Sequence, residues 1–421
     1  MNTRVHKRPP RFGTVVMLGI ILALWLCLLV AAIPYLAIEV WPSLGAQVVD
    51  LARGVLGDQV VAQVESTVLQ TLDEFKQWEY GGAGVQPVTP GLSKAQPVPT
   101  AKPGVRTVTP QGTETAPTPS TQPSALPSAP VSIPIPTSTP TPPAWLPPQI
   151  AIANPSTLEG QWAPYLWDST GWPVAYRAYF HPDPTRSYAY VVVVAFDLQH
   201  TQLHFVLGFD EPASTVQVLR SGRIPAQDLK VDSLLAAFNG GFKAQHGHFG
   251  VMTNGITLIP PIEGLGTVGI SDSGQVQIGE WGKDFTPSPH WIAWRQNDPL
   301  IVQNGQINPH TADPDPKVWG YIVYGDTATY RSALGISPDG QILYYACGPS
   351  LTLPVLAHAM QATGVFQAMQ LDINAFWVHF EAFQADGDQL KAVPLLDAMK
   401  GVGEHRFLTG SSRDFFYITT K

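Results

Sequence analysis

The sequence predicts an α+β domain in which a mixed or antiparallel sheet carries a few helices, preceded by one transmembrane helix and a disordered Pro-rich stalk. Three observations support this prediction. From about residue 150, aromatic and β-branched runs are separated by Gly, Asn-Gly and Asp-Gly, which is typical of sheet-rich domains. Helical periodicity is restricted to a few short segments of the same region. Before it lie a long apolar run and a Pro-rich stretch, neither of which builds a soluble core.

The apolar run covers residues 15–38, is interrupted only by Pro34, and follows four Lys and Arg residues in the segment 1–14. A helix crosses a bilayer with about 20 apolar residues, so this run is long enough to span it. The basic flank predicts that residues 1–14 stay in the cytoplasm and that the rest of the chain is exported. Cleavage as a signal peptide near Ala31-Ala32 is the alternative, but the apolar run continues past that point. The sequence thus predicts a single-pass protein of the cell membrane.

Residues 44–79 carry apolar side chains at helical intervals with charged residues between them, which predicts an amphipathic juxtamembrane helix. Such a helix could lie on the outer membrane surface, pair with a second copy as a short coiled coil, or act as a spacer. Gly45, Gly54 and Gly57 weaken the helix, and its polar face is not basic. The sequence leaves these three roles open, self-association among them.

Residues 81–149 hold nearly half of the chain's 41 prolines, mixed with Thr, Ser, Ala and Val. Proline fixes φ and favours extended polyproline II, which rises about 3 Å per residue. We therefore predict a semi-rigid stalk that holds the domain of residues 150–421 away from the bilayer.

Composition excludes several classes of protein. Hydrophobic residues make up 44% of the chain, enough to bury a full core. A charged fraction of 13% and a net charge of -8 argue against a nucleic-acid partner, which needs clustered Lys and Arg. Cys27 lies in the apolar run and Cys347 lies alone far downstream, so neither a disulfide within the domain nor a Cys-based zinc site is expected. No cofactor is predicted; His246 and His248 lack a third ligand at recognisable spacing, and a divalent metal requirement stays open.

Eight strands are predicted from runs of β-branched and aromatic residues. They cover Ala189–Asp197, Leu203–Gly208, Leu234–Phe238, Gly255–Ile259, Gln275–Gly279, Pro299–Val302, Ala333–Ile336 and Ile342–Ala346. Pro338-Asp339-Gly340 predicts a hairpin turn between the last two strands, and Asn304-Gly305 predicts another turn after Pro299–Val302.

Helical periodicity is clearest over Leu353–Thr363, where Thr352 can act as the N-cap and Pro354 falls in the first turn. Pro394–Met399 and Ala226–Val231 predict two shorter helices. The few helices and many strands together give the α+β class.

Three loops that follow strands carry more polar residues than a sheet needs, and such loops often carry activity. The first is the turn Asn239-Gly240-Gly241, with Lys243 shortly after it. Asn and Gly accept positive φ, so this turn could present amide N–H groups to an anion or a sugar oxygen. The alternative interpretation is a plain tight turn.

The second segment, Asp326–Ser332, leads into the strand Ala333–Ile336. Arg331 stands just before this strand, and its planar, permanently charged guanidinium can fork onto a phosphate or carboxylate. A surface ion pair with an aspartate is the alternative.

The third segment, Ala368–His379, begins as an apolar strand and ends in polar residues. It delivers the carboxylate of Asp372, the amide of Asn374 and the imidazole of His379 to one strand end, which suits general acid/base chemistry. The alternative is a structural aspartate that caps a turn.

These segments, in this order, resemble the phosphodiester glycosidase family, relatives of the enzyme that uncovers mannose 6-phosphate by removing a covering N-acetylglucosamine. The likeness runs from about Leu203 to Ile418. Asn239–Phe242 matches the family's Asn-Gly-Gly-Phe turn. Three further matches follow it: Gln303–Ile307, the block Arg331–Gly335, and the helix Thr352–Gly364.

One departure from the family pattern concerns the loop after the last matched strand. The family has Leu-Asp-Gly-Gly-Gly-Ser, whereas this chain has Leu-Asp-Ile-Asn-Ala-Phe at 371–376, so only the aspartate carries over. Ile373 and Ala375 cannot cheaply take the positive φ that glycine allows, so a different loop path and a bulkier wall are expected. Asn374 tolerates a left-handed conformation and Trp377 could stack on a sugar, which favours an altered site over a lost one.

The resemblance implies a hydrolase that cleaves a sugar-1-phosphodiester on an envelope or extracellular glycan. The implied roles are phosphate binding by Arg331, oxygen binding by the amides of Asn239–Gly241, acid/base or nucleophilic chemistry by Asp372, substrate positioning by Asn374 and His379, and a second carboxylate at Asp326.

Two alternatives of other classes remain open at the level of sequence. The domain could be a non-catalytic module that binds an anionic envelope polymer, with the altered loop 371–376 marking lost chemistry. It could also be a structural envelope component that associates through the helix at 44–79. The expected partners are a glycan or sugar-phosphate polymer and the membrane, and the structural alternative predicts self-association.

Overall fold

The computed structural model describes residues 49, 51–82, 86–94, 145–153, 155–313, 319, 325–401 and 403–421. The predicted cytoplasmic tail and transmembrane helix, residues 1–38, lie outside the described residues, as does most of the Pro-rich segment. Among the helices that are described, none combines the length and apolar character needed to cross a membrane.

The strands of the described chain form three sheets, and their neighbours pair in antiparallel fashion. The eight-stranded sheet has the order β1 (Ala163–Trp167), β2 (Pro173–Phe180), β3 (Val191–Asp197), β14 (Ile342–Leu351), β13 (Thr329–Ile336), β15 (Gln367–Gln370), β11 (Leu300–Gln303) and β12 (Gln306–Ile307).

The other two sheets have five strands each. One has the order β7 (Ile256–Ile259), β6 (Val251–Thr253), β10 (Trp291–Gln296), β8 (Gly266–Ser271) and β9 (Val276–Glu280). The other has the order β17 (Gln389–Pro394), β16 (Phe380–Asp386), β5 (Leu234–Asn239), β18 (Phe415–Thr420) and β4 (Thr201–Val206).

Helices are few, as predicted. Within the described residues they are a helical stretch at 51–56, α1 (Asp58–Tyr80), α2 (Leu353–Ala362), α3 (Arg406–Thr409) and short 3-10 turns at Ala226–Asp228, Ala244–His246, Pro309–Ala312 and Asp397–Met399. α2 begins where the sequence indicates, because the Thr352 side chain accepts a hydrogen bond from Val355 N at 3.3 Å. The two weaker helix predictions shrink to single 3-10 turns.

The sheet-rich, antiparallel character of the domain is confirmed, and each of the eight predicted strands overlaps an observed one. Both hairpin turns are also confirmed. β13 pairs with β14 across Gly340, whose φ is +71°, and β11 pairs with β12 across Asn304 and Gly305, whose φ values are +52° and +74°.

The core lies between the sheets. Val194 of β3, Phe238 of β5 and Ile270 of β8 belong to one buried cluster, so all three sheets contribute to it. The alternate residue Val193 points to the opposite face, where it joins a second cluster under α2. β3 is therefore buried on both faces, which explains its unbroken apolar sequence.

The amphipathic helix predicted over 44–79 is broken at Gly57, where φ is +84°, and α1 begins directly after it. A non-glycine residue would be strained at this φ, so the glycine permits the break. Helical residues at 51–56 precede the break and α1 follows it. The helix thus consists of two parts with a joint between them.

α1 is fixed to the domain by a buried carboxylate. Asp73 accepts hydrogen bonds from Arg186 Nε at 3.1 and 3.0 Å, from Arg186 Nη2 at 2.8 Å and from Tyr188 OH at 2.6 Å. Asp73 is only 8% exposed, so this contact is shielded from solvent. A free-standing spacer helix, one of the three roles considered, does not fit this arrangement.

Both flanks of the Pro-rich segment contact the same domain as α1. Val88 N donates to Ser187 O at 2.9 Å, and Trp145 Nε1 donates to Pro173 O at 2.7 Å. Both ends of the Pro-rich segment thus contact the folded domain, while residues 95–144 lie outside the described residues. The stalk predicted over 81–149, which would hold the domain away from the bilayer, stays a prediction.

Candidate active site

The ends of β5, β10 and β15 and the start of β18 meet at one place in the fold. The side chain of Asn297, which follows β10, joins two of them: Asn297 Nδ2 donates to Leu371 O at 2.7 Å, and Asn297 Oδ1 accepts from Phe242 N at 3.0 Å. Gly240 N donates to Asp414 O at 3.0 Å and brings in the start of β18. Two of the three predicted segments, the Asn-Gly-Gly turn and the loop after β15, therefore lie side by side.

Asp372 is the buried carboxylate at this convergence and is 2% exposed. Its Oδ1 accepts hydrogen bonds from Ile373 N at 2.8 Å and Asn374 N at 3.0 Å, and its Oδ2 lies 2.7 Å from Arg413 Nη2. Burial raises the pKa of Asp372, while Arg413 and the two amides oppose the rise. A carboxyl group of this kind is suited to acid/base chemistry.

Asn239 supports Asp372 indirectly. Asn239 Nδ2 donates to Ser332 Oγ at 3.0 Å, and Ser332 Oγ accepts from Asp372 N at 3.1 Å. Asn239 Oδ1 accepts from Tyr345 OH at 2.9 Å and from His379 N at 3.2 Å, and Asn239 N donates to His379 O at 3.0 Å. The polar groups of Asn239 are thus used to position the site, which corrects the role of oxygen ligand predicted for its amide.

The two glycines of the turn are required by close packing. A Cβ at Gly240 would lie 2.5 Å from Asp414 Oδ2, and a Cβ at Gly241 would lie 2.8 Å from Asn297 Oδ1. Neither glycine has a positive φ, contrary to the sequence-based argument. Asp414 in turn accepts from Arg295 Nε at 2.8 Å, in an ion pair whose side chains are 0% and 1% exposed. The turn is built around this buried pair.

Two arginines surround the indole of Trp377. The guanidinium carbon of Arg413 lies 5.0 Å from the centre of the Trp377 ring, and that of Arg406 lies 5.3 Å from it and 4.4 Å from the ring of Phe376. Burial lowers the pKa of Arg406 to about 10, so this side chain stays protonated at neutral pH. Both arginines border a cavity of about 10 Å³ beside Asp372. The aromatic rings hold two cations next to the carboxylate.

A second small cavity, about 40 Å³, adjoins Asp372 on the side of the N-terminal helix. Its lining includes Lys243, Asn374, Trp377 and Arg413 from the domain. The predicted substrate residues Lys243, Asn374 and Trp377 therefore gather at Asp372. Asn374 also shapes its own loop, because its Oδ1 accepts from Phe376 N at 2.9 Å.

Arg331 does not reach this place. Its guanidinium is 1% exposed and donates to the carbonyls of Leu351 at 2.8 Å and Thr327 at 3.0 Å and to Gln370 Oε1 at 2.6 Å. Side chains alternate between the faces of a strand, so on β13 it is Ser332, not Arg331, that faces Asn239 and Asp372. The predicted role of Arg331 as the phosphate ligand is corrected accordingly.

Asp326 lies near Arg331. Burial lowers the pKa of Arg331, and the carboxylate of Asp326 opposes this shift. Asp326 is exposed and borders neither cavity at Asp372. The prediction of Asp326 as a second catalytic carboxylate therefore lacks the required proximity.

His379 is also set apart from the cavities. It is 1% exposed, and its Nε2 lies 3.1 Å from Glu381 Oε1. Burial lowers the pKa of His379, although Glu381 opposes the shift. The backbone N–H and carbonyl of His379 form hydrogen bonds with Asn239. His379 therefore helps to position Asn239 and does not line either cavity.

The predicted His246 and His248 pair gives no evidence of a metal centre. Within the described residues, no group of three or more His, Cys, Asp or Glu is arranged to hold a metal ion. Burial lowers the pKa of His246 to about 3, and the cations Arg53, Arg413 and Lys243 add to this shift. His246 is thus a neutral imidazole among cations.

Asp298 is a buried carboxylate outside the site that makes stability depend on pH. Its Oδ2 accepts from Gln370 Nε2 at 2.9 Å, and burial raises its pKa to about 7, although Gln370 and Arg331 oppose the rise. Because this pKa exceeds the value of about 3.9 in an unfolded chain, its stabilising contribution is complete below pH 4 and is lost as pH rises through 7.

We therefore expect Asp298→Asn to gain stability relative to the wild-type protein as pH rises. The difference in unfolding free energy should grow by about 2–4 kcal/mol between pH 4 and pH 8, because asparagine keeps the acceptor for Gln370 without a charge to desolvate. Chemical unfolding at both pH values measures it. An unchanged difference would show that Asp298 does not titrate in this range.

Arg406, Arg413, Asp414 and Ser332 were missed by the sequence reasoning. Ser332 could have been found by applying strand alternation to the block that contains Arg331. Arg413 and Asp414 stand directly before the last strand, in a region where charge is scarce, which is a weak signal. Arg406 carries no local signal, because only tertiary packing brings it to Trp377.

A family model matches the part of the chain that contains most of the site. Residues 232–372 match the family model described as phosphodiester glycosidase, and this confirms the resemblance seen in the motifs. The matched segment contains Asn239 and ends at Asp372, whereas Arg406 and Arg413 lie beyond it. No curated protein matches the chain.

Solved structures that match the chain include the catalytic domain of zebrafish N-acetylglucosamine-1-phosphodiester alpha-N-acetylglucosaminidase auto-inhibited by its pro-peptide. It is 14% identical, with a TM-score of 0.39, over 60% of this chain and 85% of that chain. A hypothetical protein from Synechocystis is 12% identical, with a TM-score of 0.37, over 62% and 64%. A putative exported protein from Burkholderia pseudomallei is 12% identical, with a TM-score of 0.32, over 55% and 74%.

Proposed function

We propose that this protein is a hydrolase that cleaves a sugar-1-phosphodiester. The observation that supports the proposal most directly is the Asp372 carboxylate, buried and in contact with Arg413, with the cation of Arg406 held nearby by Trp377. Cations beside a carboxylate with a raised pKa suit a substrate that carries both a phosphate charge and a reactive sugar carbon.

In this mechanism the bond between sugar C1 and the phosphate oxygen breaks. Asp372 either attacks C1, forming a glycosyl ester that water then cleaves to release the sugar, or takes the proton of the attacking water. In both routes the phosphate departs with the bonding electrons as a monoester. Arg406 and Arg413 stabilise the charge that develops on it. A phosphate monoester has a second pKa of about 6, so it leaves at neutral pH without a proton donor. A second catalytic carboxylate at Asp326 is therefore not needed.

The substrate that we propose is a glycan of the cell envelope or the extracellular space, acted on by a membrane-anchored, extracytoplasmic enzyme. The support for this location is in the sequence, namely the apolar run at 15–38 with its basic flank and the Pro-rich segment at 81–149.

Purified full-length protein in detergent should release free sugar from aryl- or UDP-linked sugar-1-phosphodiesters. Sugar release is measured by chromatography, and circular dichroism reports the folded state of the same sample. A folded preparation that releases no sugar from any of these substrates would contradict the proposed activity.

The second candidate is a non-catalytic module that binds an anionic envelope polymer. The observation that favours it is the small size of the cavities at Asp372, about 10 and 40 Å³, beside the bulky Ile373 that replaces glycine of the family pattern. Binding of an anionic glycan that survives Asp372→Asn, together with absence of hydrolysis, selects this alternative.

A further inference from the structure

The larger of the two cavities at Asp372 is bordered by the N-terminal segment as well as by the domain. Arg53 and Glu65 line it together with Asp372, Trp377 and Arg413. Arg53 Nη2 forms an ion pair with Glu65 Oε2, and the two side chains are only 4% and 16% exposed. A charged pair from a segment far away in the sequence is therefore placed against the candidate catalytic carboxylate.

The position of this segment is determined by contacts on both sides of the cavity. Leu69 of α1 packs against the cluster of Phe242, Phe249 and Ile373, and Ile373 belongs to the Asp372 loop. Asp73 of the same helix is held by Arg186 and Tyr188, as described above. α1 is thus fixed where Glu65 faces the site.

Arg53 lies on the other side of the break at Gly57. Neither Gly54 nor Gly57 has an atom within 4 Å of the position that a Cβ would take, so this joint is open to solvent. The contacts of Asp73 and Leu69 hold α1 and not residues 51–56, so we expect the angle between these residues and α1 to be adjustable. The cavity of about 40 Å³ is too small for a sugar phosphate, so such a change must accompany binding.

Stability does not account for this arrangement. A buried ion pair contributes little net stabilisation, because the desolvation of two charges offsets their attraction. Arg53, Lys243 and Arg413 line the same cavity as His246 and Asp372, so the three cations lie around one space. Three cations around one point form a binding place for an anion.

We propose that Arg53 is a substrate-binding residue, so that the N-terminal segment completes the active site by supplying a cation to the phosphate of the substrate. This inference rests on the proposed hydrolysis of a sugar phosphodiester. When substrate enters, the segment 51–56 moves outward to make room, and the phosphate of the substrate replaces Glu65 as the partner of Arg53. The segment then acts as a wall of the site and fixes the substrate for attack by Asp372.

The test is a set of steady-state kinetics on full-length protein in detergent, with an aryl sugar-1-phosphodiester as substrate. Arg53→Gln should raise KM about 10- to 100-fold with kcat within threefold, as expected for loss of a hydrogen bond between charged groups. Arg53→Lys should recover part of the loss. Glu65→Gln should leave KM unchanged or lower it, because Arg53 loses its competing partner. Lys94→Gln, at an exposed lysine, is the matched control.

Three results would overturn the proposal. Equal losses for Arg53→Gln and Glu65→Gln, with a lowered melting temperature in both, would show that the pair is structural. A higher kcat/KM for Arg53→Gln would show that the segment blocks the site. An unchanged KM would show that Arg53 does not meet the substrate.

A binding experiment separates this inference from the proposed activity. Inorganic phosphate titrated into the full-length wild-type protein should bind at least about tenfold more tightly than to Arg53→Gln. If the wild-type protein hydrolyses no substrate, the proposed activity fails, and this titration alone decides the role of Arg53. Equal phosphate affinities of the two proteins would then refute it.

Discussion

Replacement of Asp372 by asparagine is expected to lower kcat about 10³-fold or more while the domain stays folded. Asparagine retains an oxygen for the amides of Ile373 and Asn374, which hold this side chain at 2.8 and 3.0 Å, so the loop can keep its path. It cannot attack a sugar carbon or accept a proton, and loss of either function has an effect of this size. KM should change much less than kcat.

The pH dependence of the reaction gives a second readout on the same residue. Burial raises the pKa of Asp372, so a reaction that needs its ionised form should rise with pH through a pKa above the usual carboxyl range. Asp388→Asn, an exposed aspartate in the β16–β17 hairpin, is the matched control and should leave kcat unchanged. An Asp372→Asn protein that keeps more than about a tenth of the wild-type kcat would show that this carboxylate does not carry the chemistry.

The parts of the fold that the sequence predicts are those coded by neighbouring residues. β13 and β14 flank Pro338-Asp339-Gly340, and this turn fixes their pairing whatever the rest of the chain does. The strands that were not predicted are β1, β2, β6, β8, β10, β12 and β16–β18. β2 contains Pro173 and Arg177 among its apolar residues, and only two of the six residues of β17 are buried, so neither has the pattern of a buried strand. Tertiary pairing, rather than local preference, establishes these strands.

The same distinction applies to the site. Asp372 and Asn239 follow buried strands and could be predicted from that position alone. Arg331 also precedes a buried strand, but a shift of one residue along a strand turns a side chain to the opposite face, and a motif does not record the face. Arg406 and Arg413 reach Asp372 from the far C-terminal end of the chain. Only the assembled sheets bring them together.

The sequence did not reveal that the N-terminal helix contacts the domain, because composition alone does not show which surface an amphipathic helix packs against. The helix at 44–79 carries apolar residues that fit a membrane surface, a second copy or the domain itself equally well. The structure shows one side of α1 against the domain, with Asp73 and Leu69 as contacts, while Val64, Phe75 and Trp78 stay more than half exposed. Contacts of this exposed side with the membrane or with a second copy stay predictions.

Replacement of Arg295 by methionine is expected to lower the free energy of unfolding by about 3–5 kcal/mol. Arg295 is 1% exposed, and its Nε donates to Asp414 at 2.8 Å, while its Nη1 donates to Gln296 O at 2.6 Å. Methionine fills the space of the aliphatic stem but leaves the carboxylate of Asp414 buried without its cation. An unpaired buried charge costs far more than a lost surface contact.

Chemical unfolding followed by tryptophan fluorescence measures this effect, with Arg223→Met, at an exposed arginine, as the matched control that should change stability by less than about 0.5 kcal/mol. Addition of Asp414→Asn to Arg295→Met should restore part of the stability, because it removes the unpaired charge. A decrease in the free energy of unfolding below about 1 kcal/mol for Arg295→Met would show that the ion pair does not stabilise the turn. Gly240 packs on Asp414 and Gly241 on Asn297, so the expected result links the stability of this pair to the geometry that presents Asp372.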